Sequence, residues 1–432
     1  MTFETLGLAP SLLARLAELE LTTPTPIQTR AIPEAMDGRD VMGLAQTGTG
    51  KTLAFGLPIA DKLLRDGGRC APRQARALVL APTRELAKQI HDNLREVLKG
   101  AHLRSQLVVG GASVNAQAQR LERGAHLLIA TPGRLIDLMD RRAIDLSGTR
   151  HLVLDEADQM LDLGFIHALR RIAKELPSER QTLLFSATMP KQMEEIAGAY
   201  LTDPVKIEVS PPGRTADKVT QSVVFVEQAA RVGKLTGLLD DHRDELALVF
   251  TRTKHGAERL SRKLEQSGFA VAAIHGNKSQ GQRNRALENF RSGEVRVLVA
   301  TDVAARGIDI PDVRHVYNFD LPNVADNYVH RIGRTARAGR DGRAVSFVGI
   351  EEMGDLVGIE RLIGQEIETL EGHRPEAPRG GRGKSGGNGG GRGRRGGGGQ
   401  GKPSAQGKPG GQPKSNGARN RRRKPSGQRS AA

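Results

Sequence analysis

Four short strings in a fixed order carry the chemistry open to this 432-residue chain. AQTGTGKT (Ala45–Thr52) comes first. Its Gly48 and Gly50 let the backbone turn tightly and aim N–H groups at phosphate oxygens. Lys51 would reach the β and γ phosphates of a nucleoside triphosphate, and the Thr52 hydroxyl would ligate Mg²⁺. Gln46, Thr47 and Thr49 complete a loop that departs from the strict phosphate-binding pattern only at Ala45, which replaces the first Gly. HLVLDEAD (His151–Asp158) is second: Asp155 would hold the Mg²⁺, through water, and Glu156 would orient or deprotonate an attacking water. A bare acidic run is ordinarily solvated surface. Behind a buried-type strand, and with a phosphate loop upstream, it reads as a site.

SAT (Ser186–Thr188) is third and HRIGRTAR (His330–Arg337) closes the set, with Arg331, Arg334 and Arg337 within seven residues. A solvated basic helix is the plain reading of that last string. The sharper one is an arginine finger that neutralises charge developing on the γ-phosphate, an effect worth about 10³–10⁵ in rate. Supplied from nearly 280 residues beyond the phosphate loop, it would make hydrolysis depend on two parts of the chain coming together. Upstream, TPTPIQ (Thr23–Gln28) offers Gln28, whose amide can donate to and accept from adenine and so favour ATP over GTP, by analogy with paired base contacts. Taken alone, Gln28 reads more plainly as a polar residue of a Pro-rich loop.

These groups need elements to hold them, and the chain repeats itself in supplying them. ALVLAPTRE (Ala77–Glu85) resembles ALVFTRTKH (Ala247–His255) at an offset of 170, and HLLIATP (His126–Pro132) resembles RVLVATD (Arg296–Asp302) at the same offset. Each is an apolar run bounded by polar residues, as for a buried parallel strand that ends in a functional loop. Helical patterns follow over Thr83–Lys99 and Lys254–Ser267. The alternation predicts an α/β protein of two similar domains with parallel sheets, over 1–209 and 219–372, joined by a linker at 210–218 where Pro and Gly break structure. The same offset carries Ala45–Thr52 onto Thr215–Ser222, which lacks a GK[ST] string, so only the first domain is expected to hold nucleotide. Functional loops would lie at the strands' carboxyl ends, and two such edges face to face would form a cleft. GIERLIGQEIETL (Gly358–Leu370) has amphipathic spacing and reads as a terminal helix packed on the second domain.

Net charge is +16, but residues 373–432 hold sixteen Lys or Arg against one acid, leaving 49 bases and 48 acids elsewhere. That segment has 19 Gly among 60 residues and no Phe, Tyr or Trp. It cannot bury enough apolar area to offset chain entropy, which predicts a disordered basic Gly-rich tail that binds polyanions electrostatically and without base stacking. No apolar run reaches the roughly 18 residues of a membrane span, and the start lacks a secretory pattern. With a single cysteine, Cys70, no internal disulfide can form, and a cytoplasmic location is expected. Nothing reads as an oligomerisation segment, so a monomer is expected.

Together these motifs resemble those of the DEAD-box ATP-dependent RNA helicases, and the wording TRTKHGAERL with the tail is similar to the bacterial RhlE-like group. The resemblance runs from Phe3 to about residue 350 and implies two RecA-like domains that close over ATP and single-stranded RNA. By matching position it implies that Phe3 stacks on adenine, Gln28 reads the adenine edge and Asp309 holds the ribose. It implies RNA contacts from Pro82, Thr83 and Arg84, from Gly110 and Gly111, and from Thr131, Pro132, Gly133 and Arg134 in the first domain. In the second it implies Arg252, Gln280, Arg283 and Thr301. His330, Arg334 and Arg337 match groups at the γ-phosphate, and Ser186 and Thr188 match the motif that couples hydrolysis to strand separation. Ala336 stands where many members have Gly.

The expected activity is RNA-dependent ATP hydrolysis driving separation of short duplexes or remodelling of RNA–protein complexes, with little sequence preference. An ATP-gated RNA clamp or annealing protein is the alternative, and a DNA-directed helicase a more distant one. The RNA served, any ribosome-assembly or RNA-decay partner and a role in cold adaptation stay open at this level.

Overall fold

Short apolar runs bounded by polar turns form two parallel sheets, as the spacing predicts. The computed structural model describes residues 2–375 apart from 47, 190, 210–218, 306–309, 311 and 337–340. The first sheet contains β1 (Val41–Leu44), β2 (Ala75–Leu80), β3 (Ser105–Val108), β4 (Ala125–Ala130), β5 (His151–Leu154), β6 (Gln181–Ser186) and β7 (Val205–Glu208). The second contains β8 (Val219–Phe225), β9 (Leu246–Phe250), β10 (Val271–Ile274), β11 (Val297–Ala300), β12 (Val313–Asn318), β13 (Gly342–Val348) and β14 (Glu368–Glu371).

The lateral orders are β3-β4-β2-β5-β6-β1-β7 and β10-β11-β9-β12-β13-β8-β14, so each strand of the second sheet takes the place of its counterpart in the first. The repeat read at an offset of 170 is therefore a structural one: β2 corresponds to β9 and β4 to β11. The offset does not extend to the phosphate loop, and here the sequence alignment is corrected. Residues 219–222 lie inside β8, the counterpart of β1, so the counterpart of Ala45–Thr52 is the turn at 226–230. The shift arises because the helix Lys51–Asp66 between β1 and β2 has 16 residues whereas Arg231–Asp240 between β8 and β9 has 10, and because the connection after it is shorter as well. The turn at 226–230 also lacks a GK[ST] string, so the asymmetry between the halves stands.

Central strands are buried on both faces, as parallel sheets covered by helices require. Along β2, Ala77 and Val79 enter one apolar cluster while Leu78 and Leu80 enter the opposite one. Along β9, Leu248 and Phe250 face one cluster, Ala247 and Val249 the other. Helices cover these faces with apolar stripes; Arg84–Val97, for example, buries Leu86, Ala87, Ile90, Leu94 and Val97. Two local expectations change. Gln28 lies not in a loop but in the first turn of the helix Pro26–Met36, where its side chain accepts from the amide of the capping residue Thr25. The segment read as one terminal helix splits into the helix Met353–Ile363 and the strand β14, which pairs with β8, because Gly364 takes a left-handed φ of 75° and ends the helix. No described helix is long and apolar enough to cross a membrane.

The strand that leads into the phosphate loop is seated tightly. Gly43 of β1 pairs with Phe185 of β6, and a Cβ at Gly43 would lie 2.6 Å from the Phe185 ring. Gly43→Ala is expected to lower stability by about 1–3 kcal/mol, the usual cost of overpacking a filled core. Urea unfolding of the variant measures it, and an unchanged midpoint would mean that β1 is not held this way.

Candidate active site

The loop after β1 runs straight into the helix Lys51–Asp66, with Gly48 and Gly50 at φ of 83° and 90°. Those values belong to the left-handed region that glycine adopts without strain. At Gly50 there is a second constraint, since a Cβ there would meet Gln28 Nε2 at 2.5 Å. Gln28 Nε2 donates to the Gly50 carbonyl at 2.9 Å, and Gln28 Oε1 accepts from the Thr25 amide at 2.9 Å. The glutamine is thereby wired to the loop's backbone. Thr49 Oγ1 donates to the Gln46 carbonyl at 2.8 Å. Thr52 is half-buried in the first turn of the helix, and Phe3 is buried in the apolar cluster beneath the first sheet.

Lys51 is buried, donates to the Ala45 carbonyl at 3.1 Å and lies 3.9 Å from Asp155 Oδ1. Lys51 opens the helix after β1 and Asp155 follows β5, two strands that have β6 between them. Asp155 follows β5 directly and accepts from the Glu156 amide at 3.0 Å. Glu156 has a left-handed φ of 51°, and its buried Oε2 has no hydrogen-bond partner. Burial raises the pKa of both carboxyls above their ordinary values, while Lys51 opposes the shift. Arg334, from the second half, also opposes it at Glu156.

Asp158, the fourth residue of the acidic string, faces the other way. Its Oδ2 accepts from the Ala187 amide (3.0 Å), the Thr188 amide (2.9 Å) and Thr188 Oγ1 (3.0 Å). Ser186 Oγ accepts from the Asp158 amide at 3.3 Å and donates to the Thr188 carbonyl at 2.8 Å. The acidic string and the SAT string are thus one hydrogen-bonded unit.

In the second half, the helix Ala325–Ile332 carries His330, half-buried, and leads to Arg334, which is 4% exposed. Arg331 is 2% exposed; its Nη2 donates to Asp302 Oδ2 at 2.8 Å and its Nη1 to the Asp320 carbonyl at 2.7 Å. Burial of two arginines excludes the reading of this string as a solvated basic helix, because buried guanidinium groups are costly unless paired or functional. Arg331 is the structural one. It anchors the helix that presents Arg334.

The residues expected to meet RNA follow β2, β3 and β4 in one sheet and β9, β10 and β11 in the other. Pro82, Thr131 and Pro132 are buried; Arg84, Gly111 and Gly133 are exposed. Thr83 caps its helix by accepting from the Leu86 amide at 3.2 Å, and Thr131 precedes the helix Pro132–Asp140. Gly110 and Gly111 lie against Arg84, where a Cβ would come within 2.8 and 2.6 Å of the guanidinium. Arg134 donates to the Ala112 carbonyl at 2.9 Å. Across the cleft, Arg84 Nη1 donates to Gln280 Oε1 at 3.0 Å, and Glu85 Oε1 accepts from Gln280 Nε2 at 3.0 Å and Arg283 Nε at 2.8 Å. Thr301 accepts at its carbonyl from the Ala304 and Ala305 amides. Arg252 turns toward its own half, donating to the Leu321 carbonyl at 3.0 Å with Glu352 and Asp355 at 3.4 Å. Thr47, Asp309 and Arg337, the linker 210–218 and the tail from 376 lie outside the described residues.

Comparison with known proteins agrees with this geometry. Residues 25–196 match the DEAD/DEAH box helicase family model, and residues 230–339 match the helicase conserved C-terminal domain. The chain belongs to the DEAD-box RNA helicase family. It is an ATP-hydrolysing RNA helicase by class, built from two RecA-like domains. It is 43% identical over 370 residues to the DEAD-box ATP-dependent RNA helicase CshA of Bacillus cereus (strain ATCC 10987 / NRS 248), covering 86% of this chain and 70% of that protein. The CshA of Geobacillus kaustophilus is 42% identical over 369 residues, covering 85% and 78%. Among solved structures, S. cerevisiae Dbp5 bound to RNA and ADP BeF3 is similar at 33% identity and TM-score 0.77, over 86% of this chain and 95% of that one. Mss116p bound to ssRNA and AMP-PNP is similar at 27% identity and TM-score 0.79, over 87% and 80%. The RhlE-like affiliation rests on the wording of one motif and on the tail, whereas these bacterial relatives carry the name CshA.

Three residues with evident roles were absent from the sequence-derived site. Asp158 sits inside the family's acidic string, Glu85 at the end of ALVLAPTRE and Arg331 inside HRIGRTAR, so motif membership was the only signal available for them. Their partners are remote in sequence and visible only in the fold. Asp158→Asn removes the charge from a carboxylate that holds three donors, and a hydrogen bond to a charged group is worth about 1.5–3 kcal/mol. The variant is expected to unfold earlier in urea by at least one such increment, and to keep nucleotide affinity. Unchanged stability would mean that the SAT turn holds its shape without Asp158.

Proposed function

We propose that this DEAD-box helicase hydrolyses ATP only when its two domains are closed on single-stranded RNA, and that closure separates short duplexes locally. The observation that carries this reading is Arg334, which reaches Glu156 electrostatically from the other half of the chain. A buried acid that needs a remote cation is a sensor of closure. The contacts of Glu85 and Arg84 with Arg283 and Gln280 support the same reading.

The residues fit a magnesium nucleotide: left-handed glycines, a buried lysine, a buried acid 3.9 Å from it and an unpartnered carboxylate oxygen. Gly48, Thr49, Gly50 and Lys51, with Gln46 and Thr47, would hold the phosphates, and Thr52 and Asp155 would hold Mg²⁺. A bound Mg²⁺ would neutralise charge on the phosphate oxygens. Glu156 would take the proton of the attacking water, helped by a raised pKa. Gln28, in direct contact with the loop, would report which base is bound. Asp158 would pass a change at Glu156 to Ser186 and Thr188 through a short stretch of hydrogen-bonded chain. His330, Arg334 and Arg337 would complete the γ-phosphate side from the second domain, with Asp309 at the ribose. The adjacent loops after β2, β3 and β4, and after β9, β10 and β11, would bind the RNA backbone, which carries little base information.

Stacking averages roughly 1.4 kcal/mol per base-pair step in DNA, so opening ten pairs needs on the order of 14 kcal/mol. One closure should therefore release only short duplexes. Steady-state ATPase with and without single-stranded RNA tests the scheme. Wild type should be stimulated by RNA. Glu156→Gln should lose about 10²–10⁴ in turnover, and Arg334→Ala about 10³ or more. Activity that is high without RNA and indifferent to Arg334 would exclude closure gating. A strand-displacement assay with a trapping oligonucleotide separates unwinding from an ATP-gated clamp or annealer, which would hydrolyse ATP and release no strand.

The basic segment from 376 onward is proposed to tether structured RNA and raise its local concentration. Arg374, although assigned to the tail by composition, is ion-paired with Glu360 and Glu366 on the body, so a truncation should begin after Pro375. Deleting 376–432 is expected to weaken RNA affinity and flatten its salt dependence while leaving RNA-saturated turnover nearly intact. Loss of saturated turnover would place the segment in the catalytic cycle instead.

A further inference from the structure

The amino edge of the second sheet, opposite the edge that carries the cleft loops, holds a cluster the helicase reading does not use. Helix Arg231–Asp240 ends just before the turn that contains His242, Glu245 leads directly into β9, and His315 lies on the adjacent strand β12. The two imidazole rings stack with centroids 4.3 Å apart and an interplanar angle of 19°. Glu245 Oε2 hydrogen-bonds to His315 Nε2 and lies 3.9 Å from His242 Nδ1. One ligand atom from each of the three residues falls within 4.8 Å of the others.

We propose that His242, Glu245 and His315 bind a first-row transition dication, with Zn²⁺ the best fit. Two imidazoles and one carboxylate are a donor set that suits Zn²⁺ and disfavours Mg²⁺ or Ca²⁺, which take oxygen ligands. Zinc–ligand distances of about 2.0–2.2 Å put tetrahedral donors roughly 3.3 Å apart. Reaching that needs donor shifts of about 1–1.5 Å and a turn of the His242 ring out of the stack, because an imidazole nitrogen binds a metal in the plane of its ring. The side chains allow it unequally: His315 is 6% exposed and fixed in a strand, whereas His242 is 30% and Glu245 45% exposed and can move. Exposure also leaves a fourth position open to water. Arg314 acts on Glu245 and Arg343 on His315, which weakens the attraction for a cation without removing any donor. Among the described residues no other group of three such side chains converges in this way.

A bound ion would tie the turn before β9 to a strand 70 residues further on. It would stabilise the second domain without touching the cleft, since anything that binds only the folded state raises its stability by mass action.

The test uses the full chain, stripped with a chelator and dialysed. Calorimetric titration with ZnCl₂ should give one equivalent bound, and Zn²⁺ should raise the melting temperature where the same concentration of Mg²⁺ does not. Co²⁺ in place of Zn²⁺ should give the visible absorption of a low-coordinate N/O site, without a thiolate band because Cys70 is buried in the first domain. His242→Ala and Glu245→Gln should each weaken Zn²⁺ binding by more than about tenfold and abolish the Co²⁺ band. Both side chains are partly exposed, so the metal-free variants should fold, and circular dichroism checks this. Absence of Zn²⁺ binding, or binding that neither variant weakens, would overturn the proposal and leave an ordinary hydrogen bond between His315 and Glu245.

Discussion

Two adjacent carboxyls, Asp155 and Glu156, are buried at the carboxyl end of β5, and most of the surrounding structure compensates for that burial. Neither acid is comfortable there. Burial favours their protonated forms, and the unpartnered oxygen of Glu156 adds a desolvation cost of about 1–3 kcal/mol. Lys51 answers part of this from the phosphate loop and Arg334 answers another part from the second domain. The first domain alone leaves the acid with one cation. Arg334 of the second domain is the other cation acting on it, so the electrostatic state of Glu156 depends on both halves of the chain.

The strand order makes this dependence useful. In the sheet order β3-β4-β2-β5-β6-β1, the loops after β5, β6 and β1 adjoin one another, and they carry the acids, the SAT turn and the phosphate loop. The loops after β3, β4 and β2 adjoin one another on the other side, and they carry the residues proposed for RNA. One sheet edge is thus divided into two neighbouring territories. The second sheet repeats the order without a phosphate loop, and in the proposed scheme its β10-β11-β9 side would face RNA while the end of the helix Ala325–Ile332 would serve the nucleotide. Glu85 and Arg283 join the two RNA territories at 2.8 Å, with side chains 6% and 13% exposed. Removing either partner would leave the other charge enclosed and unpaired, which typically costs about 3–5 kcal/mol.

Within the first domain, short contacts tie the elements around the site together. Gln28 bonds to the Gly50 carbonyl, Gly43 abuts Phe185, and Asp158 grips the SAT turn with three accepted bonds. These tie the helix Pro26–Met36 to the phosphate loop, β1 to β6 and the acidic string to the SAT turn. The arginines of HRIGRTAR divide the labour similarly, Arg331 directing its donors to Asp302, Asn318 and the Asp320 carbonyl while Arg334 acts on Glu156.

The sequence by itself determined the local chemistry: which loops could hold phosphate, which strands were buried on both faces, and that β2 and β4 recur as β9 and β11. These are legible because glycine placement, apolar run length and turn residues act over a few neighbouring positions. The family followed from the same motifs. The tertiary structure alone decided how those pieces adjoin. A fixed offset misplaced the counterpart of the phosphate loop, since a shorter helix and connection between β8 and β9 moved it, and no periodicity signals such a deletion. Sequence spacing could not separate the anchoring Arg331 from the projecting Arg334, nor pair Glu85 with Arg283 at a separation of 198 or Glu245 with His315 at 70. Those pairings depend on lateral strand order and on the burial of sheet faces, which are settled by packing over the whole domain and not by any short stretch of chain.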